Sequence, residues 1–303
     1  MQWLRWFRWF VLFLLGGLVL VGGLFVWNTA GSGWEKPGSE VLPFPTKKGR
    51  PTTLKVMAFN IAHGFSRHGY RFKKSKVLKA HLRKIASLIR KIDPDVVFLS
   101  EVDLECTPCG VKPLRFLAEQ SKYPYVVSGE NYNFGLPFYR IRAGLGILSK
   151  YRLEGEKVVQ LPGARPFYQP AGNRRILWAR LTLGKQNVRI ASIHNESFSS
   201  AINVKQARSI LKELGSEPAL LAGDFNDVPS GPSIGMLRRS KRFTAAWNGK
   251  PTFPAKGITI DFVLAPQKWK LLSHQAIPTS LSDHYPVVSV FLLPTVSSES
   301  STR

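Results

Sequence analysis

The chain has 303 residues, 44% of them hydrophobic and 12% aromatic, which excludes a sequence too poor to build a core and suffices for one large globular domain. Lysine and arginine exceed aspartate and glutamate by 24 charges, which points to anionic partners: nucleic acid, anionic lipid or another polyphosphorylated substrate. Cys106 and Cys109, in Cys-Thr-Pro-Cys, are the two cysteines, and no second such pair exists to complete a structural zinc site.

The N-terminus is a separate object. Trp9 to Trp27 reads WFVLFLLGGLVLVGGLFVW, without charge or proline. At about 1.5 Å per residue such a run matches the hydrocarbon core of a bilayer. Trp3, Trp6 and Trp9 before it, and Trp27 and Trp34 after it, suit interfacial anchors. Arg5 and Arg8 precede the run and no basic residue follows until Lys36, which predicts residues 1–8 in the cytoplasm and the remainder outside. The alternative is a cleaved signal peptide, with Asn28-Thr29-Ala30 as a poor cleavage site. Residues 28–52 are rich in Gly and Pro and read as a linker; 53–293 is the expected globular domain, and 294–303 a disordered tail.

Within the domain, 54–59 is a short β-type run followed by a basic, aromatic loop. Leu78, Leu82, Ile85, Ile89 and Ile92 give 75–92 a helical period. Residues 95–100 (DVVFLS) form a near-continuous apolar strand, expected where both faces are covered. Cys106 and Cys109 follow it, and both a local disulfide and a pair of free thiols fit. A short helix near 113–121 precedes strands near 124–128, 144–149, 157–161, 176–183 and 188–194. A helix over 201–214, then strands at 218–223, 258–264, 271–277 and 287–292, complete the set. Strands outnumber helices, and the helices come singly. That predicts an α+β layered domain, two packed sheets covered by a few helices.

The ends of these strands carry the chemistry. They deliver Asn60 (Ala-Phe-Asn-Ile), Glu101 (Ser-Glu-Val-Asp), His194 (Ser-Ile-His-Asn), Asp224 and Asn226 (Gly-Asp-Phe-Asn), Asp261 (Ile-Asp-Phe-Val), and Asp283 with His284 (Ser-Asp-His-Tyr). Hard oxygen donors arriving with imidazoles suit Mg²⁺-assisted attack of water on a phosphate ester. Singly, each has a plainer reading: Asn60 caps a turn, Glu101 opens a solvated loop, His194 is a core histidine.

Six such pieces in this order resemble the endonuclease/exonuclease/phosphatase superfamily, which includes DNase I-like nucleases, neutral sphingomyelinases and inositol polyphosphate 5-phosphatases. The resemblance covers about residues 54–292. It implies a four-layer α/β sandwich with two central mixed β-sheets, here preceded by one transmembrane helix. By that resemblance Glu101 is the principal Mg²⁺ ligand, Asn60 a ligand or near-ligand and Asp283 a further site acid, with Mn²⁺ as a possible substitute. His284 is the general base and Asp261 orients it. Asp224 and Asn226 position the nucleophile and phosphate, and His194 bonds a phosphoryl oxygen. A Tyr or Arg of the family often enters the site; Tyr139, Arg140, Arg142, Tyr168, Arg174 and Arg175 are candidates. His63 matches no family position, although it follows Asn60 closely.

The substrate is read from the loops. Residues 65–76, 138–142 and 165–175 interleave cations with rings, and Arg67, Arg71, Arg142, Arg174 and Arg175 are the expected substrate contacts. Such loops suit a nucleic-acid groove. On a tethered domain they also suit anionic headgroups, with Phe65, Phe72, Phe134 and Phe138 entering the interface. The first reading is therefore a membrane-anchored nuclease, and the second a phospholipid or inositol-phosphate hydrolase. A non-catalytic nucleic-acid-binding module is the third, which the intact set of strand-end residues disfavours. No protein partner is inferred.

Overall fold

The computed structural model describes residues 2–30, 36–64, 75–164 and 173–295. In chain order come α1 (Gln2–Ala30), β1 (Gly38–Val41), β2 (Thr53–Asn60), a single turn at Ala62–Gly64, α2 (Ser75–Ile92), β3 (Val96–Cys106) and α3 (Pro113–Ser121). Then follow β4 (Tyr125–Leu136), β5 (Tyr139–Ser149), β6 (Leu153–Gln160), β7 (Arg175–Leu183), β8 (Gln186–His194) and α4 (Ser200–Leu214). The chain ends with β9 (Ala219–Asp224), α5 (Pro232–Arg239), β10 (Phe243–Ala246), β11 (Asp261–Pro266), β12 (Lys270–Ala276) and β13 (Val287–Leu292).

The strands form two mixed sheets. One has the order β1-β4-β5-β3-β2-β13-β12, the other β10-β11-β9-β8-β7-β6. Alternation along the strands explains the layers. Leu54, Val56 and Ala58 of β2 and Val96 and Phe98 of β3 face Leu220 and Ala222 of β9 and Ile190 of β8, in a core between the sheets. Met57, Phe59, Val97 and Leu99 point the other way, onto Leu78, Leu82, Ile85 and Ile89 of α2 and Leu114 and Leu117 of α3. Ile193 and Leu221 likewise meet Ala207 and Ile210 of α4 and Ile234 and Leu237 of α5. The result is the four-layer sandwich that the family resemblance implies, and the near-continuous apolar strands are those buried on both faces. Phe98 is wholly buried between the sheets, so its truncation to Ala costs about 3–5 kcal/mol.

Three features depart from the expectations. Residues 38–41, inside the stretch read as linker, form β1 and pair antiparallel with Tyr125–Ser128 of β4. The strands expected at 124–128 and 144–149 extend into one long hairpin, β4–β5, paired from Tyr125↔Ser149 to Leu136↔Tyr139. Helix α1 continues past Trp27 to Ala30, and its last turn is tied to that hairpin. Asn28 Nδ2 donates to Gly135 O (3.0 Å), Asn133 Nδ2 donates to Asn28 Oδ1 (3.1 Å), and Phe25 meets Phe134 edge-on at 5.3 Å. Helix α1 is long and apolar enough, by length and composition, to cross a membrane. Cys106 and Cys109 form a disulfide.

Candidate active site

Strand register assembles the site. The parallel pairing of β8 with β9 sets His194 beside Asp224, and the antiparallel pairing of β9 with β11 sets Asp224 beside Asp261. Three strand-end residues thus stand in one row of the six-stranded sheet. In the other sheet, parallel pairing of β2 with β3 sets Asn60 beside Ser100, with Glu101 next in line. Sheet packing brings the two rows together around a cavity of about 400 Å³, walled by Glu101, His194, Asp224, Asn226, Asp283 and His284.

Local backbone aims these groups. Glu101 has φ of 48° at a register shift in β3 between Leu99 and Val102. A bulge of this kind redirects a side chain that regular pleating would turn elsewhere. Asn226 also has positive φ, 49°, and its N–H donates to Asp224 Oδ1 (2.9 Å). Gly223 is obligatory before them: a Cβ there would lie 2.1 Å from Ile193 O, and φ is 141°.

His284 is buried among its partners. Its Nδ1 pairs with Asp261 Oδ2 at 2.9 Å, and its Nε2 lies 3.8 Å from Asp224 Oδ2. Phe253 packs on the ring at 4.9 Å. Thr252 Oγ1 accepts the N–H groups of Ile260 (3.0 Å) and Asp261 (3.1 Å), fixing the strand that carries the carboxylate. Burial alone would lower the pKa of His284, but the charge and hydrogen bond of Asp261, with Asp224 behind, raise it to about 10. Burial and the neighbouring Asp261 raise the carboxyl of Asp224. His194 is driven the other way: burial, with Arg174 and His284 nearby, holds it well below the ordinary histidine value, so it is neutral near pH 7.

Asp224, Asp261 and His284 come close enough together to hold an ion. Their chemistry argues otherwise, since His284 Nδ1 is already committed to Asp261 and Asp261 is buried behind the ring. Glu101 suits a hard cation better, because its carboxylate is 31% exposed and faces the cavity. Asn60, expected as a metal ligand or near-ligand, turns its amide nitrogen to Glu101 Oε1 (3.2 Å) and Asp224 Oδ2 (3.1 Å). Its oxygen accepts the Ala62 N–H (3.0 Å), which fixes that orientation. Asp283 lines the cavity, with Ser282 Oγ 3.2 Å from its Oδ1 and 2.8 Å from Asn60 O.

The expected substrate arginines divide. Arg174 is buried, lines the cavity and donates from Nε to Asn195 O (3.0 Å). Arg142 is paired with Glu130 (2.7 Å), and Arg175 donates to Gln160 Oε1 (3.0 Å) and Glu130 O (2.6 Å). Arg142 ties β5 to its neighbour β4 within one sheet, Arg175 reaches from β7 across to β4 of the other sheet, and neither is among the residues that wall the cavity. Arg67, Arg71 and Tyr168 lie outside the described residues.

Sequence reasoning missed several members. His63 lines the cavity with Nδ1 2.7 Å from the fully buried Asp103 and Nε2 3.6 Å from Glu101 Oε2. Its closeness to Asn60 and the Asp two residues after Glu101 were the available signals. Asn203 of α4 donates from Nδ2 to the carbonyls of Glu196 and Phe225 (both 2.8 Å), bracing the Gly-Asp-Phe-Asn turn. Nothing in its helical context marks it.

A protein-family model described as "Endonuclease/Exonuclease/phosphatase family" matches residues 57–284. No curated protein matches the chain by sequence. Among solved structures, an endonuclease/exonuclease/phosphatase from Beutenbergia cavernae DSM 12333 is similar at 22% identity and TM-score 0.61, over 80% of this chain and 72% of that one. The mannosyl-6-phosphatase of Bacteroides thetaiotaomicron VPI-5482 gives 14% identity and TM-score 0.59, over 79% and 100%. Sphingomyelinase C from Streptomyces griseocarneus gives 17% and 0.56, over 79% and 99%. At these identities the likeness is one of fold.

Proposed function

The chain belongs to the endonuclease/exonuclease/phosphatase family and is a phosphoric ester hydrolase, and from that premise we propose that it cleaves a phosphodiester at a membrane surface by in-line attack of water. The observation that carries this reading is the row of Asp261, His284 and Asp224, which faces Glu101 across one cavity. Asp261 holds the imidazole so that Nε2 turns toward Asp224. The Asp224–His284 pair takes the proton of the attacking water. Neutral His194 and buried Arg174 donate to phosphoryl oxygens as charge builds. Asn226, fixed by the braced turn, orients the phosphate.

Glu101 and Asp283 would hold a divalent cation, Mg²⁺ or Mn²⁺ in its place, with Asn60 orienting Glu101. When bound, such a cation supplies Lewis-acid neutralisation of phosphoryl charge. Helix α1 is read as the anchor, with residues 1–8 cytoplasmic and the catalytic domain on the other side.

Two substrate classes compete. A lipid phosphodiester is favoured because Arg142 and Arg175 are spent on internal partners, and because Phe198, 84% exposed, offers the cavity wall an apolar surface. A likeness of fold to a sphingomyelinase supports the same side. The nuclease reading is supported by the net charge of +24.

The test is the full chain in detergent or vesicles, with Mg²⁺ or with EDTA, beside a His284→Ala control. The panel is phospholipid vesicles, inositol phosphates, plasmid, single-stranded DNA and RNA. Mg²⁺-dependent headgroup release, lost in the control, supports the lipid reading. Cleavage confined to nucleic acid replaces it with the nuclease. Silence on every substrate rejects the catalytic assignment.

A further inference from the structure

The tip of the β4–β5 hairpin bears three exposed rings: Phe134 (45%), Phe138 (70%) and Tyr139 (54%). A water-facing hairpin has no use for such a cluster. The cluster has a fixed neighbour. β1 covers the edge of β4 only from Tyr125 to Ser128. Beyond that the edge is met by the end of α1, through Asn28 to Gly135 O and to Asn133, and through Arg140 Nη1 donating to Asn28 Oδ1 (3.4 Å). Asn28 and Thr29 are buried by this docking, whereas the body of α1 is exposed.

The docking sets a depth. Phe25 belongs to the uncharged run that ends at Trp27, and it lies about 3 Å of helix rise inside that end. Phe134 touches Phe25. Wherever the run crosses a bilayer, Phe134 therefore sits at its margin, and Phe138 and Tyr139 follow within a few residues at the hairpin end. Aromatic rings are the side chains that settle at the headgroup boundary. Asn131 of the same strand lines the catalytic cavity, and it is five positions, or about 17 Å of strand, from Leu136 at the tip.

We propose that the β4–β5 tip is a second membrane contact, inserted among the headgroups of the bilayer that α1 crosses, so that the hairpin fixes the distance of the catalytic cavity from that surface. The inference rests on reading α1 as a membrane anchor. It does not depend on which phosphoester is cleaved.

Both cysteines are in the disulfide, so a single introduced thiol can be labelled selectively. Full-length protein in phosphatidylcholine vesicles would carry an environment-sensitive fluorophore at Phe138→Cys, at Leu18→Cys in the middle of α1, or at Lys212→Cys near the end of α4. Spin-labelled lipids with shallow or deep quenchers then read depth. The expected result is a blue-shifted label at 138 quenched by the shallow lipid, a label at 18 quenched by the deep lipid, and an unquenched label at 212. A label at 18 that is quenched beside one at 138 that stays water-like overturns the proposal and leaves the anchor standing. An unquenched label at 18 removes the anchor and the proposal with it. Equal quenching at 138 and 212 reduces the contact to indiscriminate adsorption and also overturns it.

Discussion

Two histidine–aspartate pairs line the same cavity, and they are built on one plan. His284 Nδ1 lies 2.9 Å from Asp261, and His63 Nδ1 lies 2.7 Å from Asp103; both carboxylates are buried. What the far ring nitrogen meets differs. For His284 it is the buried Asp224, at 3.8 Å. For His63 it is Glu101, at 3.6 Å, a carboxylate partly open to solvent. The first pair is enclosed by Phe253 and strand backbone, and on the proposed function it handles a proton. The second rides on a left-handed turn, with φ of 56° at His63, and on the proposed function it holds the carboxylate that would receive a cation. Identical dyads thus take different work from the group opposite them.

Breaking the first pair has the largest expected effect. His284→Ala lowers kcat by about 10²–10⁴-fold with little change in KM, because it removes proton transfer. Single-turnover rates at saturating substrate check this, and retention of more than a tenth of the wild-type rate would overturn the proton-handling assignment. Glu101→Gln comes next. It raises the Mg²⁺ needed for half-maximal rate by about 10²-fold or more, and rate restored at high Mg²⁺ separates loss of affinity from loss of fold.

Breaking the second pair is milder. His63→Gln and Asp103→Asn each weaken apparent Mg²⁺ affinity by about tenfold while kcat at saturating Mg²⁺ holds. If kcat falls instead and the Mg²⁺ titration is unmoved, the two dyads share one role and the contrast fails.

The smallest effect is on stability. His284 has its folded pKa raised from 6.5 to about 10, and that of Asp224 is raised as well. A raised group binds its proton more tightly in the folded state, so its contribution is complete below the unfolded value and is lost as pH climbs through the folded one. Thermal midpoints in EDTA should therefore fall as pH rises from about 6.5 to 10. Asp261→Asn, which removes the main raising charge, should flatten that slope. An equal slope in both proteins would detach His284 from Asp261.

The contrast between the dyads also marks how far the sequence can be read. Asn60, Glu101, His194 and Asp224 follow apolar runs, Asp261 opens one and His284 precedes the last, so the runs mark strand ends, the family resemblance singles these residues out, and register gathers them. Two packed sheets were legible because both faces of β2, β3 and β9 are apolar, and the four-layer arrangement came from the family resemblance. His63 was harder to see, since it sits in a turn and its partner is forty positions away. β1 is a four-residue strand in a Gly- and Pro-rich stretch, too short for a period, and its pairing comes entirely from β4. α5 begins at Pro232 and carries Gly235, so its eight residues give no clean helical signal. The outer hairpin, GENYNFGLPFYRIR, alternates poorly because its far edge packs on α1 rather than on a core. Arg142 and Arg175 looked like phosphate contacts because charge is visible in a sequence and a buried acceptor is not.

Among the described residues seven non-glycine positions have positive φ, and four of them, Ala62, His63, Glu101 and Asn226, border or adjoin the cavity. Each left-handed residue costs about 1–2 kcal/mol, which the surrounding layers must hold in place. The cavity is therefore the most tightly wound part of the fold and the first to relax when the sandwich loosens. On heating, catalytic rate should be lost at a temperature where far-ultraviolet dichroism is still native. Inactivation preceding unfolding would be the macroscopic trace of a tension kept in four backbone angles.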